Sequence, residues 1–364
     1  MEAYKQLEIE WAKWNNLDPE GMVCCASGSA ALHLSLEAMQ LPPGSKVITG
    51  DFNMIAVPRA VTLAGLEPVF VDCGDTLLMD NILLGSEQIY NKESFDTIGA
   101  VIVVHIYGRS PTEWSSIEEI KGCRNVDKDS RDSGCYIIED LAEAHGARPR
   151  SFTDAACWSF YKNKIVAGEE GGAVWFRDPA HATLARQLRS LGFTDAHDFD
   201  HVPRGHNYRM SNTHASIILE QYNDFYWNHN ALDNYREVLF ERRKIESWYN
   251  RHCPQEWRMP PRDAPWVYDL RVRGITRYTQ ARVVAKLNAE GIAARHSFKP
   301  MHMQREYNDE GLRCKLVSSE MGCYIKSWVA ANEVFYLPIS PGKTTEADCR
   351  RAFEVIREIV LQNA

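Results

Sequence analysis

Two lysines lie in an apolar stretch of the sequence where an ammonium group would be costly to bury. Lys162 and Lys164 follow the apolar run 158–161 and precede the glycine-rich stretch 168–172. A buried lysine needs a function that offsets its desolvation. Schiff-base chemistry is such a function, because desolvation or a cationic neighbour lowers the pKa of the amine. Spacing alone does not decide between the two lysines, so both are candidates for a reactive amine.

A second candidate group is the pair of acids that ends the apolar stretch 135–140, Glu139 and Asp140. Ligands bind at the carboxyl ends of parallel strands, so Asp140 is placed to pair with a protonated ring nitrogen of a bound molecule. An acid at the end of a strand also serves as a cap or a loop residue. The residues alone leave both interpretations open.

A third candidate is the Ser/Gly-rich turn formed by Ser27, Gly28 and Ser29, which follows an apolar run and opens a helix. Unpaired backbone N–H groups and the positive end of the helix dipole make such a turn an anion site. A simple serine N-cap explains the same pattern. The chain has neither GxGxxG nor GxxxxGK[ST], which argues against a dinucleotide or a P-loop nucleotide.

The elements that would position these groups follow an α/β pattern. Strands are predicted at residues 47–49, 68–72, 100–104 and 135–140, and helices at 30–39 and 58–64. Continuous apolar strands separated by helices predict a mostly parallel sheet that is buried on both faces. Beyond about Asn228 we predict a long charged helix at 232–248, a Pro-rich stretch at 253–265 and a final helix at 346–361. The boundary near residue 225 gives a large domain, 1–225, and a small C-terminal α/β domain, 226–364.

Composition limits the class of protein. The 364 residues are 45% hydrophobic and 25% charged, as in a globular protein, and 41 basic against 49 acidic residues give a net charge of -8. This balance argues against global disorder and against a general nucleic-acid binder. The start of the chain is acidic and the apolar stretch 98–107 reaches about half a membrane span. We therefore expect a cytoplasmic protein that does not insert into membranes.

The ten cysteines form neither CxxC pairs nor a His/Cys array with zinc spacing. This pattern predicts reduced thiols in the cytoplasm, and no metal site. The adjacent Cys24 and Cys25 lie in an apolar run, where we expect them to be buried.

Six segments in order resemble the DegT/DnrJ/EryC1/StrS family of sugar aminotransferases, which use pyridoxal phosphate (PLP). The segments are residues 27–33 (SGSAALH), 103–108 (VVHIYG), 139–147 (EDLAEAHGA), 159–164 (SFYKNK), 205–210 (GHNYRM) and 300–302 (PMH). The resemblance runs from about Leu7 to Ile359. It implies a fold-type-I PLP aminotransferase with a large domain containing a mostly parallel sheet and a smaller C-terminal α/β domain.

The resemblance also implies roles for individual residues. Lys164, five residues after the phosphate-binding Ser159, would carry PLP covalently, which favours it over Lys162. Asp140 would hold the pyridine nitrogen protonated, so that the ring acts as an electron sink. Glu143 matches a Gln/Glu that approaches the phenolic oxygen.

Three further residues are implied at the phosphate. Gly28 and Ser29 would donate to it from their own chain. Asn207 matches an asparagine that reaches it from the neighbouring subunit, which implies a homodimer with shared active sites.

The chain departs from the family pattern at several positions. Met54 stands where an aromatic residue usually stacks on the pyridine ring, and Glu169 stands where glycine is common. The family usually begins about twenty residues earlier, with a segment that lines the substrate. The lysine is retained at position 164, whereas a dehydratase branch has histidine there, so transamination is favoured over dehydration.

The implied reaction moves an amino group from an amino acid, with glutamate expected, to a keto-sugar that is expected to be linked to a nucleotide. Arg209, Arg295 and His302 are the candidate substrate contacts. One alternative is a PLP enzyme acting on a non-sugar substrate, by transamination of another ketone or by decarboxylation of an amino acid. A second alternative is a non-catalytic relative that regulates or binds, against which the intact set Lys164, Asp140 and Ser159 argues.

Overall fold

The computed structural model describes residues 2–84, 97–123, 135–194, 199–201, 204–224, 231–308, 315–317 and 326–362. Its strands are β1 (Met22–Cys25), β2 (Lys46–Gly50), β3 (Glu67–Val71), β4 (Ile98–Val104), β5 (Tyr136–Asp140), β6 (Ala155–Ser159), β7 (Gly172–Phe176), β8 (Val267–Arg271), β9 (Arg295–His296), β10 (Lys315–Val317) and β11 (Val334–Pro338). Its helices are α1 (Ala3–Asn15), α2 (Gly28–Ala38), α3 (Ala56–Leu63), α4 (Asn81–Leu84), α5 (Ser115–Cys123), α6 (Pro179–Arg189), α7 (Asn212–Asp224), α8 (Ala231–His252), α9 (Arg277–Ala289), α10 (Arg305–Asn308), α11 (Lys326–Glu333) and α12 (Glu346–Leu361).

A large sheet has the strand order β1-β7-β6-β5-β4-β2-β3-β10. Strand β7 runs antiparallel to β1 and β6, and the other described pairings are parallel. Every residue of β6 and β7 is buried, as expected for a sheet that helices cover on both faces. The predicted α/β class with a mostly parallel sheet is confirmed.

The predicted elements occur with small shifts at their ends. Helix α2 begins at Gly28, two residues earlier than predicted, because the Ser27 side chain caps it by accepting from the Ala30 N–H at 3.1 Å. Helix α12 has the predicted bounds and begins with a capping box between Thr345 and Asp348. Caps of this kind fix where a helix starts more sharply than hydrophobic periodicity does.

A second sheet, in the order β8-β11-β9, forms the C-terminal core together with α8, α9 and α12. Strand β10 also comes from the C-terminal part of the chain, yet it pairs in parallel with β3 of the large sheet. The predicted boundary at residue 225 lies outside the described residues. A division of the chain there therefore stays a prediction.

A buried ion-pair network joins the end of β4 to the second sheet. The Arg109 guanidinium donates to both carboxylate oxygens of Asp269, at 2.8 and 2.7 Å, and Arg262 binds the same carboxylate. Although burial raises the pKa of Asp269, the two guanidiniums hold it below its ordinary value. Buried charges are tolerated when they are paired in this way.

A close backbone contact lies beside that network. Gly108 has a φ of 84°, and a Cβ at this position would lie 1.7 Å from the carbonyl oxygen of Ala264. Only glycine allows this approach without displacement of the backbone. The contact places the segment around Ala264, and the Trp266 that follows it, against the large sheet.

The apolar stretch 98–107 folds as β4 and the short turn after it. No helix within the described ranges is long and apolar enough to cross a membrane. Cys24 and Cys25 are fully buried, as predicted, and burial raises the pKa of the Cys25 thiol to about 12.

Candidate active site

The carboxyl ends of the parallel strands bring the predicted site residues to one edge of the sheet. Asp140 is the last residue of β5, Ser159 is the last residue of β6, and Gly28 opens the helix that follows β1. Residue Asp140 is in register with Cys157, so β5 and β6 end close together. A Cβ on Gly28 would lie 2.7 Å from the Cβ of Ser159, which places the start of α2 directly against β6.

This contact forms a possible anion site. The first N–H groups of a helix, here those of Gly28 and Ser29, have no partner within the helix. The Ser159 hydroxyl lies next to them and accepts, from the residues that the structure describes, only a long hydrogen bond of 3.4 Å from the Tyr161 N–H. Ser27 caps the helix as well, so the cap and the anion site are compatible functions of one turn.

Lys164 lies beside this edge in a largely buried setting. Its side chain is 12% exposed, and its Nζ is 3.7 Å from Oε1 of Glu143. The same Nζ lies 4.2 Å from the ring centroid of Trp266, a cation–π contact. Lys162 is exposed. Burial and charge partners thus favour Lys164 as the reactive amine.

Two buried acids face this lysine. Burial raises the pKa of Asp140, against the opposing effects of the Ala142 N–H and the Lys164 ammonium. Burial also raises the pKa of Glu143 to about 7, again opposed by Lys164. Oε2 of Glu143 accepts from the Tyr107 N–H at 2.9 Å, which fixes the carboxyl group. A nearby positive charge would therefore stabilise the ionised form of both carboxyl groups.

This donor set fits PLP, the cofactor that the resemblance implies. The N-terminal amides of α2 and the Ser159 hydroxyl suit a phosphate. The buried Asp140 carboxyl suits a protonated ring nitrogen, Glu143 suits the phenolic oxygen and Lys164 suits the aldehyde carbon. Gly28 supports the fit, because any side chain there would displace Ser159 from the anion site.

Lys164 also lines a cleft of about 420 Å³. The walls include Trp266, Arg295, Tyr336 and Lys343 from the C-terminal part of the chain. Arg295 was predicted as a substrate contact, whereas Trp266 and Tyr336 were not predicted. Trp266 is fixed by its indole N–H, which donates to the Asn163 carbonyl oxygen at 2.6 Å. Trp266 directly follows the Pro-rich stretch 253–265, and nothing in the local spacing predicted its contact with Lys164.

Asn207 and Arg209 line a different cavity from that of Lys164. Both are exposed, and they line a separate cavity of about 410 Å³ with Tyr4 and Arg189. Neither residue lines the cleft of Lys164. This placement agrees with Asn207 serving another subunit's site, and that role stays a prediction.

His302 has a partner that accounts for its position. Its Nδ1 lies 2.6 Å from Oδ2 of the fully buried Asp51, and its backbone N–H donates to Oδ1 at 2.9 Å. The same carboxylate accepts from the Ser327 hydroxyl. His302 thus ties the segment before α10 to the end of β2, and its predicted substrate contact stays untested.

Two departures from the family pattern have clear local geometry. Met54 is 49% exposed, whereas Phe52 is buried against Tyr107 and Phe298. Met54 therefore has a surface free to meet a ligand, and Phe52 has not. Glu169 has a φ of 64°, the left-handed conformation that glycine adopts more readily.

Glu143 leads to a pH-dependent prediction for the cofactor-free protein. Its pKa in the fold is about 7, above the ordinary value of 4.5, so its stabilising contribution is present below pH 4.5 and is lost as the pH rises to about 7. We expect wild type to lose about 2–4 kcal/mol relative to Glu143→Gln over this range, at about 1.4 kcal/mol per pKa unit. Urea unfolding of both proteins at several pH values measures the difference.

The exposed Glu170→Gln is the matched control, and it should follow wild type at every pH. Parallel pH profiles for wild type and Glu143→Gln would contradict a raised pKa at this position.

Known proteins resemble this chain in sequence and in fold. Residues 4–357 match the sequence profile of the DegT/DnrJ/EryC1/StrS aminotransferase family. A GDP-perosamine synthase of Caulobacter vibrioides is 31% identical over 299 residues, which are 78% of this chain and 74% of the relative. A UDP-N-acetyl-3-dehydro-alpha-D-glucosamine 3-aminotransferase of Acidithiobacillus ferrooxidans is 30% identical over 92% of this chain and 83% of its own length. The PLP form of a Streptococcus pneumoniae protein classed as a sugar aminotransferase has the same fold, with a TM-score of 0.81 at 22% identity over 100% of this chain and 92% of that chain.

Proposed function

Because the chain belongs to the DegT/DnrJ/EryC1/StrS aminotransferase family, we propose that it uses PLP to transfer an amino group from glutamate to a keto-sugar linked to a nucleotide. The observation that carries this proposal is the buried Lys164, 3.7 Å from Glu143 and beside Asp140 at the strand ends. The names of two relatives, a GDP-perosamine synthase and a UDP-sugar 3-aminotransferase, support the class of acceptor.

Different residues at the sheet edge bind different groups of PLP. Gly28 and Ser29 at the start of α2, with Ser159, hold the phosphate. Asp140 pairs with the ring nitrogen and keeps it protonated, and Glu143 approaches the phenolic oxygen. When bound, PLP supplies an electron sink for the negative charge that develops on the substrate carbon.

Lys164 has two roles in succession. It would first hold the cofactor covalently, and once the amine of the amino donor has displaced it from the cofactor, its freed Nζ would take and return the proton at the substrate carbon that carries nitrogen. Trp266, which lies over this Nζ and is 5% exposed, limits the access of water to the amine. A dry surrounding also strengthens the charge interactions of Lys164 with Asp140 and Glu143.

The cleft of Lys164 carries positive charge that suits an anionic substrate. Lys162, Arg295 and Lys343 are exposed along its walls. Cationic side chains at this position would bind a diphosphate or the carboxylates of the amino donor. This charge distribution favours a nucleotide-linked sugar over a neutral ketone.

A product assay tests the proposed function. The purified protein, loaded with PLP, is incubated with glutamate and a panel of GDP-, UDP- and dTDP-linked keto-sugars, and mass spectrometry follows the aminated sugar. We expect one or more acceptors to gain an amine in step with the formation of 2-oxoglutarate. Release of carbon dioxide from an amino acid, or turnover of non-sugar ketones only, would contradict the proposal.

We also propose that the enzyme is a homodimer in which Asn207 completes the partner's site. A mixture of Lys164→Ala and Asn207→Ala homodimers, allowed to exchange subunits, should then recover activity. Random exchange makes half of the dimers heterodimers with one intact site each, so we expect about a quarter of wild-type activity. The recovery is measured as steady-state rate against time of mixing.

The control mixture pairs Lys164→Ala with Asp140→Asn, two changes assigned to the same protomer's site. Its heterodimers contain no intact site and should recover nothing. Exchange shown by mass spectrometry without recovery in the first mixture would place Asn207 outside any shared site.

A further inference from the structure

Two histidines and one glutamate meet outside the lining of the Lys164 cleft. His33 and Glu37 lie one turn apart on the same face of α2, and His206 comes from the segment between α6 and α7. The ligand atoms of the three side chains lie within 4.8 Å of one another. Oε2 of Glu37 is 2.5 Å from Nε2 of His206, and Oε1 is 3.8 Å from Nε2 of His33.

His33 has an atom without a partner in this cluster. The residue is 4% exposed, and its Nε2 has no hydrogen-bond partner among the residues that the structure describes. A buried polar atom in this condition requires an explanation, for which an ion is one of the usual candidates. The other ring nitrogen, Nδ1, lies 3.2 Å from the Tyr208 hydroxyl. A proton on Nδ1 leaves the lone pair of Nε2 directed at Glu37 and His206.

The contact of His33 with Tyr208 is the kind that supports a metal ligand. Histidine ligands commonly donate their second N–H to an oxygen, which fixes the tautomer and the ring orientation.

Hydrogen bonds among the three side chains account for the cluster less well than a bound metal ion does. Glu37 already accepts from His206 at 2.5 Å, while its distance of 3.8 Å from His33 is too long for a hydrogen bond. One divalent ion between the three side chains would give Nε2 of His33 its missing partner. It would also balance the buried negative charge of Glu37, which is 8% exposed.

We propose that His33, Glu37 and His206 bind a divalent transition-metal ion, with Zn²⁺ as the ion that two imidazoles and one carboxylate favour. Zinc lies about 2.0–2.2 Å from such ligands in tetrahedral geometry, so two ligands of one ion are about 3.4 Å apart. The ligand atoms of the cluster lie within 4.8 Å of one another, so the widest separation must shorten by up to about 1.4 Å. The 2.5 Å between Oε2 of Glu37 and Nε2 of His206 must lengthen by about 0.9 Å. The His206 side chain is 25% exposed, which lets a water complete the coordination.

The ion would stabilise the position of two segments that lie next to the cofactor site. Helix α2 begins with the anion site at Gly28 and Ser29, and His206 immediately precedes Asn207. A metal at this position clamps the segment with Asn207 to the helix that carries the anion site. The sequence predicted no metal site, because His33 and His206 are far apart along the chain and match no zinc spacing.

The test uses the full-length protein, saturated with Zn²⁺ and then dialysed against buffer without metal. We expect elemental analysis to find about one zinc per chain in wild type, and Zn²⁺ to raise its melting temperature. His206→Gln should bind zinc more than about tenfold more weakly, because even the loss of a supporting hydrogen bond has an effect of that size. His181→Gln, a histidine on α6 that packs against Tyr136, is the matched control and should bind like wild type.

The wild-type measurement decides the matter even if a variant folds poorly. A wild-type protein that retains no zinc after saturation would overturn the proposal. So would Glu37→Gln and His206→Gln proteins that retain as much zinc as wild type, since the ion would then lie elsewhere, for example on thiols. Co²⁺ as a second probe separates the two kinds of site, because thiolate ligands add an intense charge-transfer band that imidazole and carboxylate ligands lack.

Discussion

Lys164→Ala is expected to lose steady-state activity by at least about 10²–10⁴-fold, the usual size of a general acid–base contribution. The substitution removes both the covalent link to PLP and the group that moves the proton. Cofactor binding should persist, because the anion site at Gly28, Ser29 and Ser159 and the ring partner Asp140 remain. The loss should therefore appear in kcat, while PLP still binds to the variant.

Lys162→Ala is the matched control, since this lysine lies two residues away and is exposed. Its kcat should stay within a fewfold of wild type, and because Lys162 lines the cleft, any effect of its charge on substrate binding should appear in KM. Borohydride reduction of the loaded wild-type enzyme, followed by peptide mass mapping, should place the pyridoxyl group on Lys164. A pyridoxyl group on Lys162, or a near wild-type rate for Lys164→Ala, would assign the chemistry to a different amine.

The fold was largely predictable because its strands are buried on both faces. Strands of this kind are continuous apolar runs, and their limits were predicted to within about two residues for β2 through β5. Strand β10 was not predicted. It has three residues, and its place beside β3 depends on a pairing with a distant part of the chain. Pairings of this kind leave no local pattern in the sequence.

The placement of several candidate site residues at one edge of the sheet was also predictable, while their roles stay predictions. Lys164, Asp140, Ser159 and Gly28 belong to local motifs at strand ends, and the structure brings them together. Trp266 was missed, because its contact with Lys164 is set by the Gly108–Ala264 approach and not by its neighbours in sequence.

His302 shows the same limit. It binds Asp51, 251 residues away. A long-range contact can therefore give a predicted substrate residue a structural partner that local patterns do not reveal.

Asp140→Asn is expected to lower the rate by about 10- to 1,000-fold while leaving the fold intact. The change removes the anion that holds the ring nitrogen protonated, and such a charge partner is worth about 1–3 pKa units. Each unit corresponds to about 1.4 kcal/mol, or a factor of ten. The amide keeps the shape of the side chain and can still accept from the Ala142 N–H, which donates to Oδ1 at 2.9 Å. Steady-state kinetics at saturating PLP measure the loss.

The stability of the cofactor-free variant separates a functional role of Asp140 from a structural one. Burial raises the pKa of Asp140 in the fold, so its stabilising contribution is present at low pH and is lost as the pH rises through that pKa. Above that pKa the ionised carboxyl opposes folding, and Asp140→Asn should there be at least as stable as wild type in urea unfolding. The exposed Asp75→Asn, which removes an ion pair with Arg271, should change neither rate nor stability appreciably. A variant that loses activity and stability together would make Asp140 a structural residue, and one that keeps its rate would remove it from the mechanism.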